Sequence, residues 1–165
     1  MESICPSFNT NRMVYEYNER FYQPLMQRHK MITDNGFSIA RSLAAWKSKV
    51  CKNWEDIKIN YVKTDASLEQ EVGNKFEVKA SVYLGKLSPD DVSVETYNGP
   101  LDSDGKITSG SSIPMTHDGS DGGGSHVFVC VVPCDTSGRL GYSLRVLPKN
   151  SHLNNPFDLS LITWE

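Results

Sequence analysis

His126, Cys130 and Cys134 are the residues whose types most readily suggest chemistry, because imidazole and thiolate are the ligands of a structural zinc ion. Their spacing argues against it. The segment reads as a strand, in which four residues span about 13 Å, much farther than ligands of one tetrahedral ion can lie apart. Buried thiols are the better reading. With Cys5 and Cys51 irregularly placed and no secretory signal, all four cysteines are expected to be reduced. Residues 118–125 (DGSDGGGS) have the glycine content of a phosphate loop. A phosphate cradle leads into a helix N-terminus, whereas this stretch leads into Val127, Phe128 and Val129, a strand, so a long, mobile hairpin tip is expected. There is no Gly-x-Ser-x-Gly elbow. The carboxylates of Asp90, Asp91, Asp102 and Asp104 fall in turn segments, where aspartate favours hydrogen bonds to its own backbone. Aromatic rings offer another chemistry, since they can stack sugars, and Trp54, Tyr97 and Trp164 are the residues that a carbohydrate face would use. No catalytic, cofactor-binding or metal-binding residue emerges from this survey.

The elements that would position these residues change character at Trp54. Before it the apolar period is helical. Asn9 or Thr10 offers an N-cap, and Met13, Val14, Tyr17 and Phe21 then share one face. Pro24 should end that helix and open a second, whose stripe runs through Ile32, Ile39, Leu43, Trp46 and Val50, with a break possible at Gly36. Two such stripes exceed what the rest of the chain can cover. Met13, Val14, Tyr17, Phe21, Ile39 and Trp46 are therefore expected to form a docking face. Without its partner, that face should promote self-association.

After Trp54 the period becomes two. Ile57, Ile59 and Tyr61 alternate with polar residues, as do Phe76, Val78, Ala80, Val82 and Leu84, then Val92 and Val94, then Tyr142, Leu144 and Val146. Residues 127–132 are apolar on both faces and belong in the middle of a sheet, and Leu161, Ile162 and Trp164 make a short closing strand. About seven strands punctuated by Gly, Pro, Asn and Asp predict a mainly β domain over 55–165, an immunoglobulin-like antiparallel β-sandwich, preceded by a helical segment over 1–54. The alternation should give 55–165 a core of its own.

Composition narrows the partners. The chain has 165 residues, 38% of them hydrophobic and 22% charged, as a globular protein does. A net charge of −3 with the signs intermixed gives no basic stripe for nucleic acid or an anionic membrane. The longest apolar run, 127–133, is too short to span a bilayer, and the opening residues carry no signal pattern, so a cytoplasmic setting is expected.

Two segments resemble a known family. Residues 8–24 (FNTNRMVYEYNERFYQP) are similar to the closing segment of the catalytic body in bacterial and archaeal α-glucan phosphorylases of the glycogen and maltodextrin type. Residues 145–164 (RVLPKNSHLNNPFDLSLITW) look like the last segment of the same enzymes, and 43–47 (LAAWK) and 82–92 (VYLGKLSPDDV) match as well. The resemblance implies a parent enzyme that uses pyridoxal phosphate and inorganic phosphate to release glucose 1-phosphate from an α-1,4-glucan. The family's cofactor lysine, phosphate-binding residues and glucan cleft all lie upstream of the segment resembled here. The chain then reads as a non-catalytic C-terminal accessory tail, with Met1 internal to a longer frame, and with no cofactor of its own. Its expected partners are the upstream catalytic body, α-glucan and a second copy of the chain. The alternatives are a glucan-binding module and an unrelated immunoglobulin-like interaction domain.

Overall fold

The structure, a computed structural model, describes residues 9–66 and 69–165; Cys5 and Phe8 lie outside the described residues. It divides into two compact units, Met1–Trp46 and Lys47–Glu165.

Helix α1 (Thr10–Tyr17) starts at Asn9, whose side chain accepts a hydrogen bond from the Arg12 amide at 2.7 Å. This is the N-cap expected of an Asn ahead of an apolar stripe. Pro24 does not end the helical path. A π-helical turn, Asn18–Tyr22, runs from α1 into α2 (Gln23–Asn53), and the Gln23 amide reaches back to the Asn18 carbonyl. Proline has no N–H and its ring crowds the carbonyl four residues earlier; a wider turn just ahead of it lets the chain carry on. The break falls at Gly36 instead. Asp34 is extended, and Asn35, Gly36 and Phe37 follow with φ of 52°, 62° and 64°. Glycine and asparagine accept that left-handed backbone cheaply, and Phe37 does not.

The second unit is built on two four-stranded antiparallel sheets. Strands β1 (Lys58–Thr64), β2 (Lys75–Tyr83), β6 (Ser125–Pro133) and β5 (Thr116–Gly122) form one, in the order β1-β2-β6-β5. The other is β4-β3-β7-β8, from β4 (Ser111–Pro114), β3 (Val92–Pro100), β7 (Leu140–Pro148) and β8 (Thr163–Trp164). As its two-sided apolar sequence predicts, β6 is an interior strand. Two strands differ from expectation. β4 and β5 were not legible, and the glycine-rich stretch is no long tip: most of it is β5, closed onto β6 by a tight turn through Gly123 and Gly124 at φ of 59° and 88°. Two adjacent glycines with positive φ are what a two-residue hairpin turn requires.

The inward residues are the ones whose alternation marks the strands. Val78, Ala80 and Val82 of β2, Val94 and Thr96 of β3, Phe128 and Cys130 of β6, and Leu144 and Val146 of β7 are buried. Thr96 Oγ1 and Cys130 Sγ meet at 3.3 Å, one from each sheet, so the two inner faces share one core. The end of α2 belongs to this core through Val50, and Trp54 and Ile57 follow it inside. Lys49 Nζ donates to Asp91 Oδ2 at 2.6 Å, and the same oxygen accepts from the Ser88 amide and hydroxyl, each at 2.9 Å. Asp102 Oδ1 likewise accepts from the amides of Asp104 and Lys106 at 2.9 and 2.8 Å. Both carboxylates serve their own turns, as the sequence suggests.

Candidate functional site

Two of the three residues proposed for a carbohydrate face come together on the outer side of the second sheet. Arg145 of β7 pairs in register with Glu95 of β3 and with Trp164 of β8. Its Nε and Nη2 donate to Glu95 Oε2 at 3.0 and 2.9 Å. The rings of Tyr97, Trp164 and Phe157 lie around the guanidinium, with centroids 5.2, 5.6 and 5.8 Å away. Tyr97 and Trp164 meet edge to face at 5.9 Å and 80°. A sugar platform needs a flat ring face free to solvent. Here the rings converge on a cation, with Trp164 still 45% exposed, and the Tyr97 hydroxyl accepts from the Gly110 amide at 3.2 Å. The cluster fastens the C-terminal segment across the sheet. Trp54 is not part of it. Trp54 is 6% exposed and belongs to the core, so its place as a sugar contact is corrected: an aromatic at the junction of helix and sheet fills space between them.

The expected docking residues stand as follows. Met13, Val14, Tyr17 and Phe21 are each half exposed or more, and no residue of α1 is buried. Ile39 and Trp46 are half-buried. Tyr15, Tyr22, Leu25 and Met26 are also exposed, so the apolar surface is wider than one stripe.

The soft-donor residues do not converge. Cys130 is committed to Thr96, and burial raises its thiol pKa, so the protonated form is favoured. Cys134 is buried, and its amide donates to the Asn74 carbonyl at 2.9 Å. Among the described residues no three His, Cys, Asp or Glu side chains cluster as metal ligands would, and Cys51, Cys130 and Cys134 are unpaired thiols.

His126 instead meets His117, with Nδ1 and Nε2 3.2 Å apart and the His117 ring 5.4 Å from that of Phe128. Burial, and then the charge of His117, lower the His126 pKa below its ordinary 6.5. A histidine that binds its proton more weakly when folded stabilises the native state fully above its unfolded value. That contribution is lost as pH falls from the unfolded value through the lower folded one. The thermal unfolding midpoint is therefore expected to drop as pH falls below 6.5, with a shallower slope in His126→Gln; equal slopes in the two proteins would contradict this.

A cavity of about 500 Å³ opens at one end of the sheets. Its wall includes Phe76 and Val132 from one sheet, Asn98 and Tyr142 from the other, and Thr64 and Ser137. The Phe76 and Tyr142 rings are 6.0 Å apart and tilted by 47°. Sequence reasoning missed this site, because its residues come from five strands and two loops.

A mainly β domain of two antiparallel sheets, fastened by its own C-terminal segment and joined to an apolar helical arm, is the class that this geometry defines. The glycogen phosphorylase C-terminal domain model matches residues 54–165, and the chain belongs to that family. It is 29% identical over 164 residues to glycogen phosphorylase of Mycobacterium bovis, covering 99% of this chain and 19% of the relative. It is 31% identical over 170 residues to maltodextrin phosphorylase of Thermococcus litoralis, covering 100% of this chain and again 19% of the relative. The chain thus spans about a fifth of the length of the curated relatives it matches. No solved structure matches it.

Proposed function

We propose that this chain is the non-catalytic accessory end of an α-glucan phosphorylase, with a helical segment that docks on the upstream catalytic body. The parent reaction is the pyridoxal phosphate-dependent phosphorolysis of α-1,4-glucan to glucose 1-phosphate, and the setting is cytoplasmic. The observation that carries this reading is the helical unit. It exposes Met13, Val14, Tyr17 and Phe21, buries nothing of α1, and belongs to a chain about a fifth as long as its relatives. An amphipathic helix without a core of its own is stabilised by packing on a larger body. The strand order β1-β2-β6-β5 with β4-β3-β7-β8 supports reading the sheets as an immunoglobulin-like sandwich, a scaffold for structural or assembly contacts.

The residues present do not fit a pyridoxal phosphate pocket. Lys49 is paired with Asp91 and Lys79 with Asp118, Lys75, Lys106 and Lys149 are exposed, and the cavity wall carries no lysine. A Schiff-base lysine has to be desolvated, and these ammonium groups keep water or a carboxylate.

The test pairs this chain with the T. litoralis enzyme shortened by the matched fifth. The two are expected to co-elute, and Phe21→Glu in this chain should weaken the association by about ten-fold or more. A chain that runs alone as a strict monomer, indifferent to that substitution, contradicts the reading.

A further inference from the structure

We infer that the cavity between the sheets is a binding site for an uncharged, hydroxyl-rich ligand with an apolar face, namely a short α-1,4-linked glucose oligosaccharide. The sugar class rests on the phosphorylase reading above; neutrality and the apolar face rest on the cavity wall alone. The volume of about 500 Å³ lies within the range of roughly 300–1,000 Å³ typical of small-molecule sites.

The gap is local. Asn98 pairs with Tyr142 across β3 and β7, and Phe76 with Val132 across β2 and β6. Farther along the same ladders, Thr96 pairs with Leu144 and Val78 with Cys130, and all four are buried in the shared core. The sheets share a buried core there, and the cavity lies beyond it, around the Asn98 and Tyr142 pair.

The wall has the features of a sugar subsite. Among the described residues it carries no charged side chain, which disfavours phosphates and free cations. The rings of Phe76 and Tyr142 offer faces for the C–H side of a pyranose. Around them stand hydroxyls and an amide. Thr64 and Tyr142 both line the wall, and burial raises the Tyr142 phenol pKa, keeping it a neutral donor and acceptor. Asn98 Oδ1 is shut from solvent with no donor among the described residues, a costly state that is rare without a reason. That amide oxygen is a group which a ligand hydroxyl would satisfy. Ser137 is an exposed residue of the wall, so an oligosaccharide can project past it into solvent.

The experiment is a titration of the full ¹⁵N-labelled chain with maltotriose, with cellobiose and glucose 1-phosphate as comparison ligands. Millimolar maltotriose is expected to shift the amides of residues 137–142 and Asn98, and the comparison ligands to shift them far less. Tyr142→Phe, which keeps the ring, should weaken binding by about three- to ten-fold. Ser137→Trp, a change at an exposed position, should abolish binding at an unchanged unfolding midpoint. No shifts at saturating sugar, equal shifts with cellobiose, or shifts confined to Tyr97 and Trp164 would each overturn the inference. A null titration with docking intact removes the cavity site alone; sugar binding without docking removes the docking role alone.

Discussion

Arg145→Ala is expected to cost the domain about 3–4 kcal/mol, read as a lower denaturant midpoint at unchanged m-value. Burial sets the size of this effect. The Arg145 and Glu95 side chains are 14% and 16% exposed, so solvent screens their attraction far less than at an open surface. Truncation strands Glu95, leaving it the Ser93 hydroxyl at 3.3 Å as its one partner among the described residues. An uncompensated, largely buried carboxylate is the costly outcome when one partner of such a pair is removed. The rings of Tyr97, Trp164 and Phe157 lose their shared cation as well. Arg145→Lys separates the contributions. It keeps the charge but loses the planar fork that gives Glu95 two bonds, and should cost about 1–2 kcal/mol. Replacing both partners, Arg145→Met with Glu95→Leu, should recover most of the loss, because no charge is then left buried alone. If Arg145→Ala costs less than about 1 kcal/mol, the cluster does not fasten the C-terminal segment.

The sequence carries the parts of this fold that repeat along the chain, and hides those made by distant residues. β2, β3, β6 and β7 were legible because their buried side chains alternate or run together, and burial imposes that period. β5 is THDGSDG, polar on both faces at a sheet edge, so no alternation betrays it. Its one readable signal is the Gly123 and Gly124 pair, which predicts a hairpin tip but not how short the tip is. Pro24 stands in the first turn of α2, as expected, but the rule that proline ends a helix does not foresee the π turn that joins α1 to it. The family was readable because its motifs are local, at residues 8–24 and 145–164. Arg145 and Glu95 are 50 residues apart and meet only through the β3–β7 ladder. The same holds for the cavity, whose wall draws on residues from Thr64 to Tyr142. Residue type marked Trp54, Tyr97 and Trp164 as able to stack sugars, but burial and the position of a neighbouring cation decide whether a ring is free to do so.

Trp54→Ala is the second large effect, expected at about 3–5 kcal/mol. Trp54 is 6% exposed, between Val50 at the end of α2 and Ile57 just ahead of β1, both buried. Deleting the indole leaves a cavity where the helix end meets the sheets, and packing there can relax only partly. Against a typical domain stability of about 5–15 kcal/mol, that loss populates the unfolded state measurably on warming. One detail tempers the conservative change. Trp54 Nε1 is buried with no acceptor among the described residues, so its N–H already carries a desolvation cost. Trp54→Phe removes that donor along with some volume, and should cost only about 1 kcal/mol. The contrast between Ala and Phe separates packing from sugar recognition. A surface platform would lose oligosaccharide affinity on Trp54→Ala at little cost in stability. A core residue loses stability, with affinity unchanged in whatever fraction remains folded. Chemical denaturation of the three proteins, followed by maltotriose titration well below their midpoints, decides it. A Trp54→Ala protein as stable as its parent but unable to bind sugar would return this residue to the surface role that its type alone suggests.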